Sequence, residues 1–162
     1  MNVPIKYLPN RLTKHDKKQQ AQQLKKSRAA YKKGKYQHRK PVKSFTSKRS
    51  RHIVNAERIY KIKTLAVNDE LSKKTGCSKT ALNQIIKKGQ GAYYSSGSRP
   101  NQTAHSWGVA RLASSISGGK AAAVDYNILL EGCNKNSKAL RLAKRSRQKN
   151  NYGTRRVPKT KI

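Results

Sequence analysis

Thirty-nine lysines and arginines stand against six acidic residues in a chain of 162, a net charge of +33. Like charge repels itself in any compact state, and the apolar material that opposes it is scarce. Leu, Ile, Val and Phe number 28, about 17% of the chain. This balance belongs to chains that struggle to fold without a partner, and it predicts a protein that lives against something negatively charged. No run of 18 apolar residues occurs, so no membrane-spanning helix is expected. The start, Met1 to Lys6, lacks an apolar leader core, and no secretory signal is expected. Six scattered acids leave little for carboxylate catalysis or hard metals. His15, His38, His52 and His105 have no CxxC or HxxxH companions, so no zinc site is expected. The chain predicts no enzyme, no cofactor and no small-molecule substrate.

The charge is uneven. Residues 1–52 carry +16, residues 53–134 carry +6 and residues 135–162 carry +11. The aliphatic and Phe content runs the other way, at 7, 17 and 4 residues. These gradients predict an all-α protein in three parts: a basic N-terminal arm with one helix (1–52), a small helical core (53–134), and a basic C-terminal helix and tail (135–162). The arms are expected to be long and partly extended. In the first, Thr13 and Asp16 make a capping box for a helix over about 14–33, stopped by Gly34. Its apolar stripe, Ala21, Leu24 and Tyr31, is too thin to hold it alone, so it is expected to lie on a partner. The free chain is expected to be only partly folded, with helicity concentrated in 53–149.

Further helices are expected from Ser50 through Tyr60, from Asn68 to Gly76, and from Ser78 with Ala81, Leu82, Ile85 and Ile86 inward and Gly89 as the stop. Thr103 starts another, through Trp107 to Ile116. A single helix is expected over 120–131, with Val124, Ile128 and Leu129 inward, and Ser137 caps the last, over 138–149. Residues 150–162 show no pattern, and no period-two strand stands out anywhere. Cys77 and Cys133, 56 residues apart, are able to pair; a Lys-rich chain without a leader favours two reduced thiols packed as small hydrophobes.

Three motifs invite functional readings. Residues 71–89 have the spacing of a helix-turn-helix, with Ser78, Lys79, Asn83 and Gln84 towards a groove; a structural helical hairpin is the preferred reading. Gly89 to Pro100 is glycine-rich, but it follows no strand and carries no GK[ST], which argues against a nucleotide cradle. An ordered loop over 89–103 is expected instead, with Tyr93 or Tyr94 packed on Trp107 and Arg99 in a fork-shaped hydrogen-bonded contact. His105, Ser106 and Asp125 do not make a catalytic triad, because no GxSxG elbow exists.

The basic runs are the strongest signal. They include Lys14, Lys17, Lys18, Lys25, Lys26, Arg28, Lys32, Lys33, Arg39, Lys40, Arg49, Arg51, Arg141, Lys144, Arg145 and Arg147, with Tyr31, Tyr36 and Tyr60 interleaved. Their chemistry is neutralisation of phosphates or of an acidic protein surface. Two stretches also carry a resemblance. One is Thr13 to Gln19, then Lys26-Ser-Arg-Ala-Ala-Tyr-Lys-Lys-Gly-Lys-Tyr36 and Ser44 to His52. The other is Ile86 to Ile116, which includes Gly97-Ser-Arg-Pro-Asn-Gln-Thr-Ala-His-Ser-Trp-Gly108, running on to Val124-Asp-Tyr-Asn-Ile-Leu129. Both resemble an uncharacterised domain of large nucleocytoplasmic DNA viruses, including chlorella viruses and mimivirus-like relatives. The resemblance implies a virion component, a minor capsid protein on the inner face of the shell. It would cement capsomers through basic arms, with the major capsid protein and neighbouring minor capsid proteins as partners. Viral DNA and the inner membrane surface are further polyanions open to such a chain. The alternative is a nucleic-acid-binding protein, for DNA condensation or helix-turn-helix binding.

Overall fold

The computed structural model describes residues 1–153 and 156–162. Among them are eight α-helices: α1 Lys14–Lys32, α2 Arg51–Tyr60, α3 Asp69–Thr75, α4 Lys79–Ser95, α5 Ala104–Ile116, α6 Lys120–Val124, α7 Tyr126–Gly132 and α8 Lys138–Lys149. Two short strands, β1 Asn2–Pro4 and β2 Lys159–Lys161, pair antiparallel with Val3 opposite Thr160. The protein is therefore mostly helical, as its sequence predicts.

The helix starts follow from local hydrogen bonds. The side chains of Thr13, Asn68, Ser78, Thr103 and Ser137 each accept a bond from the backbone N–H three residues on, satisfying a donor that the first turn leaves open. Gly76, with φ +74°, ends α3 in the left-handed conformation.

The chain divides into two compact units, and not into a core with two arms. The first comprises residues 1–48, 90–107 and 156–162; the second comprises 49–89 and 108–153, as far as it is described. The expected long arms are not observed, because the basic N-terminal segment builds a core of its own. Val3, Tyr7, Leu8, Leu12, Leu24, Val42 and Phe45 are buried together, with Ala21, Trp107 and Ile162 against them. One face of α1 lies on residues of its own chain. Asp16, Gln20, Leu24 and Ser27 form its buried face. The Gln20 amide donates to the carbonyl oxygens of Tyr7 and Ser98 at 3.2 and 3.4 Å, so polar residues there serve as interior ones. The expectation of a patternless C-terminal tail also changes: it holds a strand, which pairs with the N-terminus.

The second unit packs Leu71, Leu82, Ile85, Leu112, Ile116, Leu129 and Leu140 into the larger core. Three expectations are corrected here. Gly89 does not stop α4. An added Cβ on it would lie 2.6 Å from Gly108 Cα and 3.1 Å from Arg111 Cβ, so the glycine lets two helices of this unit approach closely while the helix runs on. The helix expected over 120–131 breaks at Asp125, and Val124 is exposed. Cys77 and Cys133 form a disulfide. Each follows a helix end, and an isolated antiparallel bridge sets them side by side, with Ser78 N–H donating to the Gly132 carbonyl and Asn134 N–H to that of Gly76, both at 2.8 Å.

Candidate polyanion-binding surface

A helix turns 100° per residue. In α1 the buried set Asp16, Gln20, Leu24 and Ser27 fixes the inward direction. Lys14, Lys18, Lys25 and Lys32 then fall along the opposite side, and all four are exposed. From Lys14 to Lys32 is 19 residues, a line of about 27 Å. Lys17 and Arg28 flank it on one side, Lys26 and Lys33 on the other; of these only Arg28 is partly buried. The first unit holds nineteen basic residues and one acid, Asp16. That carboxylate is turned inward, where it accepts from the Ser44 hydroxyl at 2.6 Å and the Ser44 N–H at 2.7 Å. The Ser44 hydroxyl and then its N–H hold the Asp16 pKa below the ordinary carboxylate value, against the effect of desolvation. No acid therefore neutralises the lysine line from within this unit.

In the second unit α8 is built the same way. Ala139, Leu140, Ala143 and Ser146 are buried, while Lys138, Arg141, Lys144, Arg145 and Lys149 are exposed. The acids of this unit are largely committed to local bases: Glu57 to Arg49, Asp69 to Lys79, Glu70 to Lys74, and Asp125 to Arg111 and Lys88.

Not every predicted contact residue stays available. Arg39 donates to Ser27 Oγ (2.8 Å), the Tyr93 carbonyl (2.9 Å) and Ser98 Oγ (2.9 Å), and its guanidinium carbon lies 3.7 Å from the Tyr93 ring centroid. It is an internal brace, performing the forked role expected of Arg99. Arg99 itself is exposed, and among the described residues its guanidinium makes no hydrogen bond. Arg147 lies over the rings of Tyr126 and Tyr152, at 4.3 and 4.8 Å. Arg49 is tied to Glu57. Lys40 and Arg51 remain exposed.

The aromatic expectations also change. Residues 89–95 are helical, so the ordered loop shrinks to 96–103. Trp107 meets Tyr7 edge-on at 5.9 Å, while Tyr93 is buried and meets Tyr94 at 5.0 Å. Tyr60 is interior, donating its hydroxyl to the Ile116 carbonyl at 2.5 Å, and burial raises its pKa. Sequence reasoning missed Asn101. Its side chain accepts from Val42 N–H (2.7 Å) and donates to the carbonyls of Val42 (3.1 Å) and Phe45 (2.6 Å), pinning the extended segment that follows α1. In the stretch Gly97 to Gly108, Ser98, Asn101, Thr103 and Trp107 thus each hold part of the first unit together.

In the 71–89 hairpin, Ser78, Lys79, Asn83 and Gln84 are exposed. Ser78 is occupied as a cap, however, and Lys79 pairs with Asp69 at 2.7 Å. Among the described residues, no group of three or more His, Cys, Asp or Glu converges, and no helix is long and apolar enough to cross a membrane.

No curated protein and no solved structure matches the chain. Residues 4–150, from the buried N-terminal segment through the basic faces of α1 and α8, match a family described as being of unknown function. The chain belongs to that family, DUF5824.

Proposed function

We propose that this chain is a non-enzymatic structural protein of a large DNA virus particle. In this reading it is a minor capsid protein that seats its basic helix faces on acidic surfaces of neighbouring capsid proteins. The observation that carries the reading is the uncompensated line Lys14, Lys18, Lys25 and Lys32 on a helix whose only acid is turned inward. Such a face gains most by meeting a negative partner, which neutralises it where salt only screens it. The viral setting comes from the likeness of the Gly97–Gly108 stretch and the basic stretches around it. Since the first 48 residues fold, the contacts fall to rigid helix faces and not to flexible arms, so less conformational entropy is lost on docking.

The test is the protein inventory of purified, salt-washed particles of the encoding virus, combined with amine-to-carboxyl crosslinking. The chain should be present at a fixed copy number, with crosslinks from the α1 lysines to acidic residues of capsid proteins. Changing Lys14, Lys18, Lys25 and Lys32 together to Glu should abolish incorporation while the purified protein stays folded. Absence from the particles, or incorporation indifferent to the four changes, overturns the reading.

A further inference from the structure

One surface of the first unit combines aromatic rings with the basic charge. Tyr36, just beyond α1, is 68% exposed and Tyr31, on its last turn, is 37% exposed. Their ring centroids are 6.1 Å apart, Tyr36 lies 5.0 Å from Tyr94, and His38 lies 5.8 Å from Tyr94. Packing alone does not account for a tyrosine held in a ring cluster with two-thirds of its surface in water. Lys32, Lys33 and Lys35 lie between Tyr31 and Tyr36 in sequence and are all exposed. An open depression of about 300 Å³ is lined by His38 together with Gln19, Gln22, Lys26, Gln37 and Lys40. Gln23, in the same wall, is committed to the Lys40 backbone. The side-chain amides of Gln19, Gln22 and Gln37 have no hydrogen-bond partner among the described residues.

We propose that this tyrosine–glutamine–lysine surface binds single-stranded nucleic acid. Tyr36 stacks an unpaired base with Tyr31 and Tyr94 behind it, the lysines take the phosphates, and the free glutamine amides meet base edges in the depression. Each part answers a separate chemical need. Exposed rings are stacking platforms for bases that are not already stacked in a duplex. Lysines without nearby acids neutralise phosphates. Primary amides both donate and accept, as base edges require. An acidic protein surface would use the lysines without requiring a cluster of exposed rings, whereas unpaired bases use both. The inference is independent of the capsid reading, since either can fail alone.

The experiment compares strands of equal charge with and without bases. Full-length protein is titrated with single-stranded DNA and RNA of about 15 nucleotides, with an abasic phosphodiester of the same length, and with the matching duplex. The base-bearing single strands should bind about tenfold or more tightly than the abasic strand, the scale set by base–aromatic stacking. Tyr36→Ala should remove that advantage and leave abasic binding unchanged, whereas Tyr36→Phe should keep it. Lys32, Lys33 and Lys35 changed to Gln should weaken all strands together. The DNA and RNA arms decide which sugar is preferred. Ultraviolet crosslinking of the wild-type protein gives a second readout that needs no variant: the adduct should fall on the tryptic peptide covering residues 36–39. Equal affinity for base-bearing and abasic strands, tighter duplex binding, or adducts elsewhere would overturn the proposal, whatever the particle inventory shows.

Discussion

Arg39 and Arg99 show how far two arginines of similar sequence setting diverge. Arg39 makes three side-chain hydrogen bonds and stacks on Tyr93; Arg99 is exposed. Lysine keeps the charge but loses the planar fork. Arg39→Lys should therefore cost about 1–3 kcal/mol in denaturant unfolding, while Arg99→Ala should stay within about 0.5 kcal/mol. The opposite ranking would refute the brace. Asp125 is the other decisive residue. Its buried carboxylate accepts from Arg111 Nε (2.9 Å), Arg111 Nη2 (2.7 Å) and Ser115 Oγ (2.9 Å), with Lys88 Nζ at 3.1 Å. Desolvation pushes its pKa up, but the Arg111, Lys88 and Ser115 bonds prevail and hold it below the ordinary value. A lowered folded pKa gives stability that is present above the unfolded value of about 3.9 and is lost as pH falls through the folded value. Asp125→Asn should cost about 3–5 kcal/mol at neutral pH by leaving Arg111 unpaired. The gap from wild type should close in acid unfolding below about pH 4. A gap constant with pH would show that the carboxylate's charge is not what matters.

At the scale of elements, α4 makes the sharpest test. Glycine in a helix interior ordinarily costs about 0.5–1 kcal/mol relative to alanine. Gly91→Ala should therefore stabilise by about that amount, since nothing lies within 4 Å of the added Cβ. Gly89→Ala should do the reverse, by about 1–3 kcal/mol, because Gly108 and Arg111 already occupy the space. Thermal unfolding of the two variants reads the sign directly; two stabilising substitutions would mean that α5 does not approach α4 as closely as described. The same logic explains why the candidate surface was only partly legible. The lysines of α1 are plain in the sequence, but which of them share a face depends on the phase set by Asp16, Gln20, Leu24 and Ser27. Three of those four are polar residues that an apolar stripe does not reveal.

For the whole molecule, the issue is how a +33 chain stays folded. In the second unit the Cys77–Cys133 disulfide closes a loop of 56 residues, and loop-closure entropy assigns such a link about 4 kcal/mol. Non-reducing peptide mapping should find the two cysteines joined. Reduction, or the double change to Ser, should lower unfolding stability by roughly that amount, with hydrogen exchange rising across 49–89 and 108–153. Stability indifferent to reductant would show that the link is not formed in solution.

What the sequence determined by itself was local. The helix starts at residues 13, 68, 78, 103 and 137, the stops at Gly34 and Gly76, the all-α character and the excess charge were legible, because caps and turns are hydrogen bonds closed within a few residues. Tertiary structure alone decided that the basic N-terminal segment has its own core and that β1 finds β2 across the length of the chain. Tertiary contacts also decided that Gly89 lies inside a helix, that α6 and α7 part at a buried carboxylate, and that Arg39 faces inward. Each outcome depends on residues far apart in sequence, where a missing Cβ, a buried charge or a disulfide outweighs local propensity, and no window of neighbouring residues contains that balance.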